Sequence, residues 1–325
     1  MATMKEVAKA AGVSIITVSR VINTPEKVKK ETREKVLKYM QELDFKTNQT
    51  AKALVSNRTK VIHVYIPNGL EAANPFVMNV IAGISEELSK SYYSLFLRRD
   101  RDIPLKSDGI IAMGLNKSDD EWLANINETP IVLFGHTDLP IDWLDVDNKQ
   151  GAYKMTDYII KQGHRKIGFI GIDENKRFAT DRLQGYCEAL HDHEMKVENK
   201  FIRFTANEEI YGYEKTLDLL TKEDVSALFC SSDVLALGAL RAARTLRRKV
   251  PEELSIAGFD GFGLDLLAYP ALTTMTQPVY EAGKQLAMMI LDRIENPNHA
   301  VNQKMVKTSL TIRKSVRNLK ADTEE

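Results

Sequence analysis

From residue 61 onward, short apolar runs alternate with longer amphipathic ones, and this alternation constrains the fold more than any other feature. VIHVYIP (61–67), SLFLR (94–98), GIIAMG (109–114), PIVLFG (130–135) and WLDVD (143–147) form a first set, with a helical run at 76–90 after its first member. A helical run at 149–162 leads into KIGFIG (166–171), FIRFT (201–205), ALFCSS (227–232) and SIAGFD (255–260), spaced by helical runs at 180–193, 209–221 and 233–247. Strands buried on both faces and separated by helices predict parallel, doubly wound α/β sheets. Two such sets, joined near 160 and again near 276, predict two lobes. Ligands bind outside the carboxyl ends of strands in these folds, so the cleft between lobes is the expected site. That rule selects Asp147, Ser231, Ser232, Asp233 and Asp260 at strand ends, with Arg182 after KIGFIG. Acidic, hydroxyl and guanidinium groups together suit a neutral, polyhydroxylated ligand, because each makes directional hydrogen bonds and is costly to bury unpaired. A structural ion pair between Arg182 and Asp260 is the plainer alternative.

The first 46 residues have a different period. Thr3 caps a helix over 4–10 that places Val7, Ala8 and Ala11 on one face, and Gly12 ends it. Ser14 caps a second helix over 15–22, with Val18, Val21 and Ile22 turned inward. A third, over 31–43, carries Val36, Met40 and Leu43 at helical spacing. Helix, glycine-containing turn and helix make a helix-turn-helix, whose second helix normally enters the DNA major groove. Charge agrees. The net charge is zero over the whole chain, yet residues 1–58 hold 12 Lys/Arg against 6 Asp/Glu. A basic module on a mildly acidic body points to a polyanion partner at one end.

Other classes are disfavoured. Two distant cysteines, Cys187 and Cys230, give neither a disulfide framework nor a thiolate zinc site, and suggest a reducing compartment. No apolar leader core and no run of about 18 apolar residues marks a secretory or membrane segment. The motifs G-x-x-x-x-G-K-[ST], G-x-S-x-G and H-E-x-x-H are missing, and Gly261-x-Gly263 lacks the third glycine of a dinucleotide fingerprint. His191-x-His193 points its rings apart on a helix, so a solvated surface is expected there rather than a metal. We therefore expect no catalytic residue, no metal and no cofactor, and a cytoplasmic, nucleoid-associated protein.

The stretches MKEVAKAAGVSIITVSRVIN and ETREKVLKYMQELDFKTNQTAKAL resemble the DNA-binding head and hinge of the LacI/GalR family of bacterial repressors. Later matches follow in the family's order: NPF (74–76), DNKQG (147–151), GHRKIGFIG (163–171), DRLQGY (181–186), SDVLALGALRAA (232–243), P-x-x-L-S-I-x-G-F-D (251–260) and P-x-L-T-T (270–274). The resemblance implies a three-helix head (1–46), a hinge helix (47–58) and a periplasmic-binding-protein-like body (59–316), with a polar tail at 317–325. The body divides into an N-lobe (59–160 and 277–304) and a C-lobe (161–276 and 305–316). In the head, the resemblance gives Ser14, Ile15, Ile16, Thr17, Ser19, Arg20 and Asn23 as DNA-binding residues. Ile15, Ile16 and Arg20 stand at base-reading positions, and Thr17 and Ser19 at phosphate positions. Arg20 can fork onto guanine, whereas isoleucine methyls can only touch a thymine methyl. Alternatively, one of the two isoleucines packs into the head's own core. In the hinge, Asn48, Ala51 and Leu54 match positions that start the helix, approach the backbone and wedge into a minor-groove step. Thr47 replaces the family's usual proline, and Lys29 replaces the serine cap of the third helix.

In the cleft, the resemblance assigns effector contacts to Phe76, Val77, Arg182, Asn207, Ser232 and Asp260, and the strand-end rule adds Asp147 and Asp233. It implies a repressor of a carbohydrate-utilisation operon that binds a pseudo-palindromic, double-stranded operator as a homodimer. The connection from SLFLR to GIIAMG is short, and with Ser232-Asp233 it resembles galactoside-responsive members. The last segment, SVRNLKADTEE, lacks the leucine heptads of a tetramerisation bundle, so a dimer is expected. A sugar-binding protein or sugar-modifying enzyme using the same cleft is the rival reading. A protein co-repressor in place of a sugar also stays open, since such a surface has no recognisable code.

Overall fold

The computed structural model describes residues 2–23, 25–45, 58–70, 74–102, 105–126 and 129–320. Chain contacts divide it into two compact units, Met1–Thr59 and Lys60–Glu325.

The first unit contains helices α1 (Met4–Ala11), α2 (Ile15–Asn23) and α3 (Lys30–Glu42). The start of α1 is fixed by a reciprocal capping box. The Thr3 hydroxyl accepts from the Glu6 amide at 3.3 Å, and the Glu6 carboxylate accepts from the Thr3 amide at 2.7 Å. Gly12 ends the helix at φ +63°, a left-handed conformation that a side chain would strain. Val7, Ala8, Ala11, Val18, Val21 and Val36 form the core, with Ile22 and Met40 partly buried against it. Leu43, expected inside, is 38% exposed because it sits beyond the last helical turn, at the C-cap. Lys29 provides no side-chain cap to α3. The hinge expectations at Asn48, Ala51 and Leu54 lie outside the described residues.

The second unit holds two six-stranded sheets. The first, in the order β11-β5-β4-β3-β1-β2, is parallel throughout. Its strands are β1 (Val61–Tyr65), β2 (Ser94–Arg98), β3 (Gly109–Met113), β4 (Ile131–Phe134), β5 (Asp142–Val146) and β11 (Gln303–Val306). The second, β12-β10-β9-β8-β6-β7, is parallel except for the β10–β12 pair. It comprises β6 (Ile167–Ile172), β7 (Ile202–Thr205), β8 (Ala227–Cys230), β9 (Ser255–Asp260), β10 (Thr273–Thr276) and β12 (Ser309–Thr311). Helices α4 (Pro75–Lys90) and α11 (Val279–Glu295) pack on one face of the first sheet through Val80, Ile84, Leu286 and Ile290. The short α5 (Asp120–Ala124) covers its other face with Leu123 and Trp122. On the second sheet, α8 (Glu209–Lys222) and α9 (Asp233–Thr245) cover one face, while α6 (Asn148–Lys161) and α7 (Arg177–Asp192) cover the other. A single-turn helix, α10 (Leu264–Leu267), follows β9.

Two lobe boundaries differ from the sequence expectation. The chain crosses near 147, not 160, because Ala152, Met155 and Ile159 of α6 join the core of the second sheet. It crosses last at 307–308, because β11 pairs with β5 in the first sheet. The described part of the tail, 317–320, is tied to the second lobe: the Arg317 amide donates to Ser255 Oγ at 2.9 Å, and the Leu319 amide to Gln162 O at 2.8 Å.

The α6–α7 contact is among the tightest in the body. A Cβ on Gly185 would stand 2.1 Å from the Lys149 carbonyl oxygen, which is backbone and cannot swing away. Gly185→Ala is therefore expected to lower the body's stability by about 3 kcal/mol through overpacking. A thermal melt shows this as a loss of several degrees, and an unchanged melting temperature would contradict it.

Candidate functional site

Each unit carries one surface suited to binding. In the head, Ser14 Oγ accepts from the Thr17 amide at 3.1 Å, fixing the first turn of α2. Val18 and Val21 of this helix point into the core. The opposite face presents Ile15 and Ile16, 47% and 64% exposed, so neither isoleucine is a core residue. Ser14 and Arg20 are exposed on the same unit, and Thr17 and Ser19 half-buried. Asn23 ends α2, and its side chain lies outside the described residues. An apolar pair flanked by hydroxyls and a guanidinium is a surface that can enter a major groove and touch methyl groups, phosphates and a guanine edge.

In the body, a cavity of about 550 Å³ lies between the lobes at the carboxyl ends of the strands. Its floor is built around Arg182 on α7, which is 4% exposed. The guanidinium donates from Nε to Asn148 Oδ1 at 2.9 Å and from Nη1 to the Ser231 carbonyl at 2.5 Å. It lies over the Phe259 ring, 3.8 Å from the centroid. Its approach to Asp260 Oδ1 is longer, 3.4 Å, and that oxygen takes a shorter bond from Gln277 Nε2 at 2.7 Å. Arg182 is thus held by neutral acceptors and an aromatic face, while the Asp260 side chain stays 16% exposed to the cleft. Beside it, Asp233 accepts from Thr274 Oγ1 at 2.6 Å and from the Gly261 amide at 2.7 Å. Gly258 leaves room for this carboxylate, since a Cβ there would stand 2.2 Å from Asp233 Oδ1. Burial pushes both carboxyls above the ordinary range; Asp260's charge adds to the shift at Asp233, and Arg182 opposes it at Asp260. Burial pulls the Arg182 guanidinium down, against the nearby Asp260 and Asp233 charges.

The upper wall is aromatic. Phe76 stacks on Phe134 at 5.2 Å between centroids, and Phe262 lies 6.2 Å from Phe76. Two buried polar atoms near the strand ends have no partner: Asp120 Oδ1, on the cavity wall, and Ser231 Oγ, at the end of β8. An unpartnered carboxylate oxygen on the cavity wall suits a ligand that donates hydroxyls.

Of the expected cleft residues, Phe76, Arg182, Asn207, Asp233 and Asp260 line the cavity. Three do not. Val77 is fully buried in the first lobe's core, one helical position round from Phe76. Asp147 is the N-cap of α6, accepting from the Gln150 amide at 3.0 Å. Ser232 is the N-cap of α9; its hydroxyl donates to Asn207 Oδ1 at 2.6 Å, so it orients a lining residue. Sequence reasoning missed Asp145, Asn148 and Gln277. Gln277 directly follows β10, so the strand-end rule would have found it. Asp145 sits inside a strand with buried neighbours and gave no signal. His193, expected at a solvated surface, pairs with Asp157 at 2.8 Å, while His191 is exposed.

A helix-turn-helix head joined to a two-lobed sensor body defines a ligand-responsive transcriptional regulator. Residues 3–48 match the family of bacterial regulatory proteins, lacI family, and residues 156–316 match the periplasmic binding protein-like domain. The chain is 37% identical over 316 residues to the uncharacterized HTH-type transcriptional regulator YvdE of Bacillus subtilis, covering 97% of this chain and 99% of that protein. It is 33% identical to the HTH-type transcriptional repressor PurR of Haemophilus influenzae, covering 98% and 100%. Among solved structures, the complex of the transcriptional regulator CelR with cellobiose superposes with a TM-score of 0.74 at 28% identity, covering 97% and 100%. The chain belongs to the lacI family of bacterial transcriptional regulators, with a DNA-binding head and an effector-binding body.

Proposed function

We propose that this regulator is a homodimeric repressor of a carbohydrate-utilisation operon, with no enzymatic activity of its own, and that its cleft takes a neutral sugar. The observation that carries the reading is the floor of the cleft. Arg182 is fixed by Asn148 and Ser231 and Gln277 holds Asp260 Oδ1, which leaves the other oxygen of the partly exposed Asp260 carboxylate to accept from a sugar hydroxyl. Three of the lining cations already have oxygen partners: Lys176 on Gly114 O at 2.6 Å, Arg177 on Asp120 at 2.8 Å, and Arg182 as above. Carboxylates dominate what remains, which disfavours phosphorylated sugars and sugar acids. The cellobiose complex of a related regulator supports a sugar of this kind. The connection from β2 to β3 contains no helix among its described residues, and its shortness favours testing galactose and lactose first, then cellobiose. Calorimetric titration of the full chain with this panel is the direct experiment. Binding of a sugar phosphate in preference to every neutral sugar would overturn the reading.

Ser14, Ile15, Ile16, Thr17, Ser19, Arg20 and Asn23 are proposed to contact the operator, and Asn48, Ala51 and Leu54 to form the hinge contact. A two-fold dimer reads a pseudo-palindrome. Affinity should fall steeply with salt through counterion release. Leu54→Ala is expected to lose most of the preference for operator over random DNA while keeping non-specific binding, because only a kinked site uses the wedge. Gel shifts on both DNAs decide this, and equal loss on each would make Leu54 merely structural. Sedimentation showing a tetramer at micromolar concentration would overturn the dimer.

A further inference from the structure

Beside the Phe76–Phe262 ring contact, three polar side chains at the start of α7 and its N-cap reach across the cleft. Lys176 reaches the Gly114 carbonyl, and Arg177 pairs with Asp120. Both pair a cation with an oxygen. The third differs in kind. Asp181 approaches both Asp145 and His136 of the first lobe, so two carboxylates and an imidazole meet there. One ligating atom from each of the three lies within 4.8 Å of the others, and His136 Nδ1 is 2.8 Å from Asp145 Oδ2, the spacing of a hydrogen bond sharing one proton. With neutral imidazole, two like charges meet across the cleft and the contact is repulsive. With imidazolium, one cation lies close to two anions and the contact is attractive.

We propose that His136, Asp145 and Asp181 form a proton-operated clamp across the cleft, so that closure of the lobes takes up a proton at His136. The surroundings agree. The hydrogen bond to Asp145 holds His136 above its ordinary range, aided by the charges of Asp145 and Asp181, while burial and Arg177 oppose it. Asp181 is also pushed up, by burial first, then by the charges of Asp145 and Asp147, against His136 and Arg182. In an open cleft Asp181 leaves the imidazole, and His136 loses that part of its stabilisation. The closed form therefore binds the proton more tightly. Closure is fully favoured below the ordinary histidine value of 6.5 and weakens as pH rises through the raised value. A single linked proton changes the closed-to-open ratio by at most about tenfold per pH unit. This holds whichever sugar the cleft takes, and it makes the regulator's response depend on pH above the ordinary histidine value.

The test uses the full chain without ligand. Histidine-selective isotope labelling reports all six imidazoles by NMR, and the His136 signal is the one missing from His136→Asn. The expected result is a His136 midpoint above 6.5 that falls in Asp181→Asn, although Asp181 belongs to the other lobe. Small-angle scattering should show the wild-type body expanding between pH 6 and pH 8.5, and the Asp181→Asn body not doing so. A His136 midpoint indifferent to Asp181→Asn, or a wild-type radius independent of pH, would overturn the clamp. If His136→Asn fails to fold, His136→Gln serves for assignment.

Discussion

Arg182→Ala is expected to yield a regulator that still holds its operator but no longer answers to sugar. The guanidinium is the only buried cation among the described residues of the cleft floor, and its removal leaves Asp260 and Asp233 without a neighbouring positive charge. Breaking a buried pair by removing one partner costs about 3–5 kcal/mol. Part of this is relieved when the two carboxyls, already pushed up by burial, take on protons. The floor would then present protonated donors in place of the acceptors and fixed cation that read vicinal hydroxyls. Sugar affinity is expected to fall a hundredfold or more, about 3 kcal/mol. Operator affinity should stay within about twofold, because the head is a separate compact unit. Titration calorimetry and a gel shift on the same preparation measure both. Arg182→Lys should not rescue, since an ammonium cannot span Asn148 and the Ser231 carbonyl as the planar fork does. Undiminished binding of the sugar by Arg182→Ala would remove the proposed site.

The second large effect lies in the head. Val18→Asp places a carboxylate at a position that is fully buried among Val7, Ala11 and Val36. Among the described residues no cation is buried in that core, so the charge meets no partner among them. A buried, unpaired carboxylate costs several kcal/mol. A unit of this size has about 3–5 kcal/mol to lose. The head should therefore unfold and operator binding should disappear. The body's melting transition and sugar affinity should persist, since the body is a separate compact unit with its own cores. A gel shift together with a two-transition thermal melt checks this. Wild-type operator binding by Val18→Asp would mean that the head core is not what presents α2.

These two sites were legible in the sequence to different degrees. The head was legible almost residue by residue because its signals are local. Thr3 with Glu6, Gly12, and Ser14 with Thr17 each act within one helical turn, and they fix where the helices start, stop and face. Facing also settled the isoleucine question, since Val18 and Val21 claim the inner stripe and leave Ile15 and Ile16 outside. In the cleft, only part of the expectation survived. Strand ends placed Asp233 and Asp260 correctly, but the chain neighbours Phe76 and Val77 went to opposite fates. One helical step is about 100° of rotation, enough to turn Val77 from the cleft into the core.

Local chemistry in the sequence determined the helix-turn-helix, the alternation of strands and helices, and the residue types gathered at the strand ends. It also set the basic head against the acidic body. Tertiary structure alone decided which lobe owns α6, since an amphipathic helix between two sheets packs equally well in principle on either. It decided that β11 is a strand at all: three of its four residues, Gln303, Lys304 and Met305, are exposed, and only pairing with β5 makes it one. It decided that Asp147 and Ser232 cap helices while Asp145 and Asn148, their near neighbours, face the cavity. It also brought Asp181 across to His136 and Asp145, 36 or more residues away in the chain. Hydrogen-bond reach is about 3 Å, and no periodicity in a sequence carries information on which distant side chains come within it.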